Sequence, residues 1–285
     1  MLLKQATDMG AKLLYLTGGE PLLREDIGQI LRFAKKIGMV TMLGTNGFYL
    51  EDKIEQIYKD LDYLRVSIDS LRIHDCIRVC NSAFENALRG IKLAKKMGMN
   101  IIINATVTSE TIDEMEDLAK FAEDLNCGIT LSPLVLKFRG EGNSGIDFSG
   151  LLPEYGDYVL SVNRLKEKYP CILNSDPYLS LVRRGGIGYA GIKCKACDIM
   201  LSANPQGDIY FPCNTNPVEK INLKMTGELK KVWHSKAANH IRREVKNYNF
   251  CKSCMDRCYV LPSLFFSVRG ICDFLRHTGH RRRFF

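Results

Sequence analysis

The sequence has no long hydrophobic run. No stretch approaches the roughly 20 consecutive apolar residues that a membrane-spanning helix requires, and residues 1–12 are an amphipathic mixture instead of the apolar core of an export signal. We therefore expect a cytoplasmic protein without a membrane partner. The 285 residues, 46% of them hydrophobic, suffice for one large domain with a buried core and a second, small one.

Cysteine is absent before Cys76, yet the chain contains 11 cysteines. Without an export signal, the reducing cytosol argues against disulfides and favours metal binding or catalysis. Cys76, Cys80, Cys127 and Cys171 are scattered through the chain. The candidate metal ligands crowd into one later segment: Cys194, Cys197, Cys213, Cys251, Cys254 and Cys258.

The spacing of these cysteines is typical of a metal site. Cys194-x2-Cys197 and Cys251-x2-Cys254-x3-Cys258 let one turn of backbone direct two thiolates at a common metal, and Cys213 follows a strand-like segment, 208–211. Four thiolates suit zinc or an iron-sulfur cluster. No histidine lies at a zinc-finger spacing, which disfavours a mixed site, while an all-cysteine zinc ribbon remains open. Buried cysteines without a ligand are the disfavoured alternative.

The formal net charge of +8 does not by itself indicate a nucleic-acid partner. Lysine and arginine are spread along segments with helical periodicity, where a solvated face is the usual explanation. They are concentrated only in the basic tail, 273–285, which contains His280 and Arg281–Arg283. We expect that tail to be a solvated terminus.

Apolar runs alternate with helical periodicity in the first half of the chain. Runs at 13–17, 40–43, 63–68, 101–107 and 129–132 predict five strands, and the segments 25–37, 50–59, 83–97 and 111–125 predict helices. Gly38, Gly98 and Gly128 stand where helix C-caps are expected. This alternation predicts right-handed crossovers and a parallel sheet, either doubly wound or closing toward a barrel.

Polar, glycine-rich segments follow four successive predicted strands. Thr17-Gly-Gly-Glu-Pro21 follows the first run, Gly44-Thr-Asn-Gly47 the second and Ser67-Ile-Asp-Ser70 the third, while Asn104 lies in the fourth. Any one of them alone is an ordinary turn signal. Ligands of parallel α/β folds bind at the C-terminal ends of strands. Four such segments at corresponding ends therefore predict a binding site there.

Several of these segments closely resemble radical S-adenosylmethionine (radical SAM) enzymes, and the cysteine-rich end resembles their SPASM or twitch extension. The matching segments are Leu16-Thr-Gly-Gly-Glu-Pro-Leu-Leu23, Thr45-Asn-Gly47, Val66-Ser-Ile-Asp-Ser70 and His74-Asp-x-x-Arg78. The resemblance implies an α/β fold with a partial (βα)6 TIM-like barrel lacking its first strand, over 1–135. It also implies a bridging region over 136–190 and a small SPASM/twitch-like iron-sulfur domain over 191–272.

The resemblance also implies cofactors and partners. A 4Fe-4S cluster would cleave S-adenosylmethionine reductively to a 5'-deoxyadenosyl radical that abstracts hydrogen from a peptide or small-molecule substrate. A flavodoxin or ferredoxin would supply the electron. Gly18, Gly19 and Glu20 would meet the methionine amino group and Pro21 would stiffen their loop. The adenosyl and ribose side would be lined by Thr45, Asn46, Ser67 and Asp69. Asn104 is a further candidate for cofactor binding.

The number of cysteines in the C-terminal region predicts one complete auxiliary cluster. Two cubane clusters need eight thiolates, and this region has six, or seven with Cys272. Val260 and Leu264 stand where the full SPASM pattern has further cysteines. The preferred ligands are Cys197, Cys213, Cys254 and Cys258, with Cys194 and Cys251 as close alternatives.

One family motif is missing. Radical SAM enzymes hold the catalytic cluster on Cys-x3-Cys-x2-Cys, upstream of the Gly-Gly-Glu-Pro strand, and this chain has no cysteine there. Cys76-x3-Cys80 lacks the third cysteine, with Ala83 in its place, and follows the wrong strand. N-terminal truncation is the favoured explanation and degeneration the alternative, and this chain alone is expected to be inactive. The rival functions are a non-catalytic iron-sulfur protein for electron transfer or partner binding, and a zinc-stabilised module.

Overall fold

The computed structural model describes residues 2–135 and 149–266. The chain divides into two compact units, of which unit 1 comprises Met1–Pro133 with Ser161–Leu173, and unit 2 comprises Leu134–Leu160 with Asn174–Phe285. Part of the predicted bridging region, Cys272 and the basic tail lie outside the described residues. Within the described ranges, no helix has the length and apolar content needed to cross a bilayer.

Unit 1 alternates strands and helices, as the apolar runs predict. Its strands are β1 (Leu13–Leu16), β2 (Val40–Thr45), β3 (Tyr63–Ser67), β4 (Ile101–Val107) and β5 (Gly128–Pro133). Its helices are α1 (Leu2–Asp8), α2 (Ile27–Lys36), α3 (Leu50–Ile57), α4 (His74–Arg78), α5 (Ala83–Lys96), α6 (Met115–Asp124) and the C-terminal part of α7 (Tyr155–Lys168). The five strands and four connecting helices predicted from sequence are confirmed, whereas α1 and α4 are additions.

The five strands form one parallel sheet in the order β1-β2-β3-β4-β5. A doubly wound sheet reverses its strand order at a switch point, whereas sequential order is that of a (βα) barrel wall. The described strands therefore show sequential winding without a reversal of strand order. All C-terminal strand ends lie at one edge of this sheet.

The two faces of the sheet differ in burial. Leu43, Leu64 and Ile103 on one face are fully buried, together with apolar residues of the connecting helices. The alternating positions on the other face, such as Arg65 and Asn104, are half-buried. Side chains of successive residues point to opposite faces of a strand. Polar residues of the second face are therefore outside the helix-packed core.

The predicted helix ends are correct at two glycines and wrong at the third. Gly38 (φ +80°) and Gly98 (φ +76°) adopt the left-handed conformation just after α2 and α5. Gly128 instead begins β5, and Asn126 (φ +51°) is the left-handed residue after α6. A Cβ at Gly128 would lie 2.6 Å from Leu173 Cδ1. Close packing, and not capping, therefore requires glycine at this position.

Unit 2 contains a small antiparallel sheet in the order β6-β7-β8. After α7 its elements are α8 (Asp176–Arg183), α9 (Ala196–Ile199), β6 (Ser202–Ala203), β7 (Asp208–Phe211), β8 (Glu219–Asn222), α10 (Leu223–Thr226), α11 (Leu229–Trp233), α12 (Lys236–Glu244), α13 (Asn249–Lys252) and α14 (Arg257–Phe265). The predicted strand at 208–211 and the helical position of Trp233 are both confirmed.

Candidate functional site

The Glu20 carboxylate joins the ends of β1 and β2. Its Oε1 accepts hydrogen bonds from the Leu22 amide (3.0 Å) and the Thr45 hydroxyl (2.7 Å), and its Oε2 accepts one from the Asn46 amide (2.8 Å). Thr45 is buried and its hydroxyl also accepts from the Gly47 amide, at 3.0 Å. Glu20 and Thr45, both predicted to contact the cofactor, thus hydrogen-bond to each other and to the backbone of their own loops.

The backbone of Gly18 and Gly19 borders open space. A Cβ built on either glycine meets no atom within 4 Å, and Gly18 has a φ of +135°, which disfavours any other residue. Pro21 begins a 3-10 turn (Pro21–Leu23) whose first two residues are buried, and it fixes the loop on its far side. Main-chain groups of the two glycines are therefore free to approach a ligand, and a side chain there would fill the ligand's space.

The Asn46-Gly47 turn is fixed by its own contacts. Asn46 Oδ1 accepts from the Phe48 amide at 2.8 Å, which occupies the side chain in a local turn. Gly47 has a φ of +84°, and a Cβ there would lie 2.7 Å from Ala87 Cβ. This glycine is required by both conformation and packing.

Asp69 holds the end of β3 against its neighbours. The buried carboxylate accepts from the Thr106 amide (2.9 Å) and pairs with Arg78 Nη2 (2.6 Å), while the Asp69 amide donates to His74 Nδ1 at 3.1 Å. Burial lowers the pKa of His74, which is therefore neutral with Nδ1 as acceptor. The His-Asp-x-x-Arg motif thus anchors Asp69, and Asp69 does not present a free carboxylate to a ribose.

Ser67 and Asn104 are partners in the register of β3 and β4. Asn104 Oδ1 accepts from Thr130 Oγ1 at 2.9 Å and from Arg65 Nη2. Ser67 Oγ has no hydrogen-bond partner among the residues that the structure describes, and its side chain is half-buried. Ser67 Oγ therefore remains available to a ligand.

Sequence reasoning missed two polar groups near these strand ends. Arg65 lies over the Tyr15 ring, 5.8 Å from its centroid, on the half-buried face of the sheet. Arg65 and Ser67 are two positions apart on β3, so the alternation of a strand places both on one face and could have revealed Arg65. The buried Glu114 carboxylate accepts from the Leu71 amide and the Ser70 hydroxyl, both at 2.8 Å. Nothing in the sequence distinguishes Glu114 from the other acids of its helical segment.

Four thiols of unit 2, which we call the cysteine quartet, act on one another. Each pair among them is close enough for a charged thiolate to act on its neighbour, and Cys194 packs against the buried cluster that contains Cys213. Burial is the main cause that raises the pKa of each, to about 12 for Cys254, and the neighbouring thiols raise it further in three of them. The quartet consists of Cys194, Cys213, Cys251 and Cys254.

Cys197 and Cys258, which belong to the preferred ligand set from sequence, differ from the quartet. Cys197 is buried beside it, and burial raises the pKa of its thiol to about 11. Cys258 is exposed on α14. Within the two described ranges, no three histidine, cysteine or acidic side chains are arranged around one point as a single metal ion would require. The quartet thus contains the two alternatives, Cys194 and Cys251, beside Cys213 and Cys254 of the preferred set.

The turn that carries Cys251 and Cys254 is fixed by backbone contacts. The Ile187 amide donates to the Cys254 carbonyl (3.0 Å) and the Gly188 amide to the Lys252 carbonyl (2.9 Å). A Cβ at Gly186 would lie 2.5 Å from the Ser253 carbonyl carbon. Glycine is needed there because two backbones approach closely.

The remaining described cysteines belong to unit 1. Cys127 and Cys171 are buried in unit 1, where burial raises the pKa of each thiol to about 11. Cys76 is exposed on α4 and Cys80 follows it. That these four cysteines bind no metal stays a prediction.

Comparison with known proteins identifies the class of the N-terminal part. Residues 1–122 match the model of the radical SAM superfamily. The GTP 3',8-cyclase of Helicobacter pylori is 36% identical over 129 residues, which cover 43% of this chain and 40% of that protein. The N-terminal 122 residues are therefore similar to the radical SAM superfamily. The matched stretches span only 31% to 40% of the length of the first curated relatives.

Solved structures share the fold over most of the chain. The structure of anSMEcpe with bound AdoMet has a TM-score of 0.63 at 15% identity, and the match covers 97% of this chain and 88% of that one. Streptococcus suis SuiB bound to its precursor peptide SuiA has a TM-score of 0.59 at 16% identity, covering 94% and 65%. At these identities the likeness concerns the fold alone.

Proposed function

We propose that the protein is a radical SAM oxidoreductase whose unit 1 binds S-adenosylmethionine and whose unit 2 holds an auxiliary 4Fe-4S cluster. The observation that carries the proposal is the open Gly18–Gly19 backbone, at a strand-end loop that Glu20 and Thr45 hold in place. It lies within the stretch that matches the radical SAM superfamily.

The residues at the strand ends fit a cationic, polar ligand. The carbonyls of Gly18 and Gly19 are suited to accept from an ammonium group, and Ser67 Oγ is suited to meet a hydroxyl. Bound S-adenosylmethionine supplies an alkyl radical upon one-electron reduction. The protein contributes the fixed loop. The carboxylates of Glu20 and Asp69 accept hydrogen bonds from neighbouring strand ends, so the backbone of Gly18 and Gly19 is what binds the ligand.

The donor set of unit 2 fits an iron-sulfur cluster. Four mutually close cysteines provide the thiolates that a cubane cluster takes, and a bound cluster supplies one-electron transfer. Cys197 and Cys258 are the alternatives to members of the quartet. An all-cysteine zinc site would need these thiolates to converge on one ion, an arrangement that the described residues do not form. The metal itself must be measured.

The substrate we propose is a peptide or a protein side chain. Support comes from the fold shared with SuiB, whose structure holds a precursor peptide. A small molecule is the alternative, since GTP 3',8-cyclase is among the relatives. We further propose that this chain alone does not cleave S-adenosylmethionine, because its 285 residues contain no Cys-x3-Cys-x2-Cys motif.

A glycine variant tests the cofactor site. Gly19→Val should fold normally, because a Cβ at Gly19 meets no atom within 4 Å, yet it should abolish binding of labelled S-adenosylmethionine in equilibrium dialysis. Gly150→Val is the matched control, since a Cβ there is equally unobstructed. Unchanged binding by Gly19→Val would contradict the proposed site. A wild-type chain that holds iron but no S-adenosylmethionine would support the rival iron-sulfur electron-transfer protein.

Two cysteine variants test which metal the chain binds. The anaerobically reconstituted chain should be brown and contain iron and sulfide, and Cys213→Ala should lose the colour. Cys127→Ala should keep it, although Cys127 is also a buried cysteine. A colourless wild-type protein with stoichiometric zinc would instead indicate the zinc-stabilised module.

A further inference from the structure

The guanidinium of Arg242 is enclosed by aromatic rings in unit 2. Its central carbon lies 4.3 Å from the centroid of the Trp233 ring and 5.7 Å from that of Phe211. The Arg242 side chain is 14% exposed. A cation over an aromatic face is stabilised without needing an acid partner. The rings therefore fix a positive charge in a largely dry environment.

Hydrogen bonds fix the orientation of this guanidinium. Nε donates to the Cys197 carbonyl at 2.8 Å, and Nη1 donates to the Trp233 carbonyl at 2.6 Å and to Asn239 Oδ1 at 2.9 Å. Nη2 is buried and has no partner among the described residues. A buried donor without an acceptor lowers stability. The other nitrogens of Arg242 are paired, so its unpaired Nη2 indicates an acceptor that is not among the described residues.

Arg242 lies beside the segment that carries two of the candidate ligands. Its Nε is 2.8 Å from the Cys197 carbonyl oxygen, and Cys197 is buried in the first turn of α9. Cys194 of the quartet precedes Cys197 by three residues. Asp198 lies at the limit of ion pairing, 3.9 Å from Arg242 Nε, so it does not occupy Nη2. The free N–H group thus belongs to a cation adjoining the thiols.

We infer that Arg242 donates its Nη2 hydrogen bond to a sulfur of the cluster held by unit 2, on the Cys197 side, and thereby raises the reduction potential of that cluster. This inference rests on the proposed iron-sulfur function. Reduction adds one electron from an external donor, such as dithionite, and makes or breaks no bond. Because the added charge is negative, a fixed cation stabilises the reduced state more than the oxidised state. Arg242 is thus a positioning and tuning residue and not a ligand.

The test is a redox titration of the reconstituted full chain, followed by electron paramagnetic resonance. Arg242→Gln should retain its iron but shift the midpoint to a more negative value. At the wild-type midpoint, its ratio of reduced to oxidised cluster should fall about tenfold, which for one electron corresponds to about 59 mV. Arg242→Lys keeps the charge without the planar fork, so its shift should be smaller but of the same sign.

Arg243→Gln is the matched control, because Arg243 is the next residue on α12, is exposed and carries the same charge. Its midpoint should equal that of the wild type. Fluorescence of Trp233, the only tryptophan, reports whether each variant keeps its local packing. A purely structural role would lower stability and leave the midpoint unchanged.

The possible results separate the two proposals. An unchanged midpoint in iron-replete Arg242→Gln would overturn the role of Arg242 and leave the cluster proposal intact. If Arg242→Gln binds no iron, the midpoint of Arg242→Lys is measured instead. A midpoint equal to that of the wild type would then overturn the role of Arg242, and a more negative one would support it. A wild-type chain without iron and sulfide would overturn the proposed function and this inference with it.

Discussion

Replacing Glu20 distinguishes a residue that holds the strand ends from one that only contacts a ligand. Glu20→Ala removes three hydrogen bonds, to the Leu22 amide, the Thr45 hydroxyl and the Asn46 amide. Hydrogen bonds to a charged group contribute about 1.5–3 kcal/mol each. Glu20 is half-buried, so water replaces part of this loss. We expect the free energy of unfolding of unit 1 to fall by about 2–4 kcal/mol.

Glu20→Gln should have a smaller effect of the same sign. Both carboxylate oxygens accept hydrogen bonds, and an amide can offer only one oxygen. Either the Asn46 amide or the pair formed by Leu22 and Thr45 would then face an NH2 group. The loss of one such interaction amounts to about 1–2 kcal/mol.

The assay combines urea unfolding with hydrogen exchange at the two strand ends. Exchange of the Asn46 and Leu22 amides should accelerate in Glu20→Ala, because each loses its acceptor. Glu25→Ala, an exposed acid five positions on, is the control and should change neither measurement. An unchanged urea midpoint and unchanged exchange, together with weakened S-adenosylmethionine binding, would refute the holding role and restore Glu20 as a direct ligand.

Three further outcomes are expected. Iron analysis with Mössbauer spectroscopy should find about four irons per chain, because a cubane takes four thiolates; about eight irons in cubane signals would show a second cluster. Gly47→Ala should destabilise unit 1 by about 2–4 kcal/mol in urea melts, because its Cβ would lie 2.7 Å from Ala87 Cβ at a φ of +84°; an unchanged midpoint would contradict that packing. The metal-free chain should lose thermal stability as pH rises from about 9.0 toward about 12. Burial raises the pKa of Cys254, so the folded state keeps the thiol proton to a higher pH than the unfolded state does. Cys254→Ala should make this loss less steep, and an equally steep loss in that variant would refute the assignment.

The absence of the cysteine motif carries its own test. The chain with dithionite and S-adenosylmethionine should form no 5'-deoxyadenosine, and product from this chain alone would contradict our interpretation of the missing motif.

Local sequence signals predicted the elements of unit 1 but not the partners of the polar side chains. Each strand is an apolar run with a turn signal after it, so its position can be read over a few residues. Glu20 and Thr45 are 25 positions apart, and their hydrogen bond depends on strand register. Gly128 illustrates the same limit, because its requirement for glycine comes from Leu173 and not from the preceding helix.

The cysteines of unit 2 show a similar division. Spacing alone identified the six candidates, because a Cys-x2-Cys turn brings two thiols together whatever surrounds it. Spacing could not decide which thiols from distant segments meet. That outcome depends on contacts such as the approach of Gly186 and Gly188 to the Cys251–Cys254 turn. The orientation of Arg242 likewise required the positions of Trp233 and Phe211.

Three acids at the strand ends of unit 1 share one structural role. Glu20 accepts from the Asn46 amide, Asp69 from the Thr106 amide and Glu114 from the Leu71 amide, so each carboxylate holds the main chain of a neighbouring segment. A carboxylate committed in this way has less capacity for a ligand. Our proposal therefore assigns recognition of a bound molecule to groups that remain free, such as the Gly18–Gly19 backbone and Ser67. Loss of any of these acids should weaken ligand binding and stability together, whereas Gly19→Val should weaken binding alone.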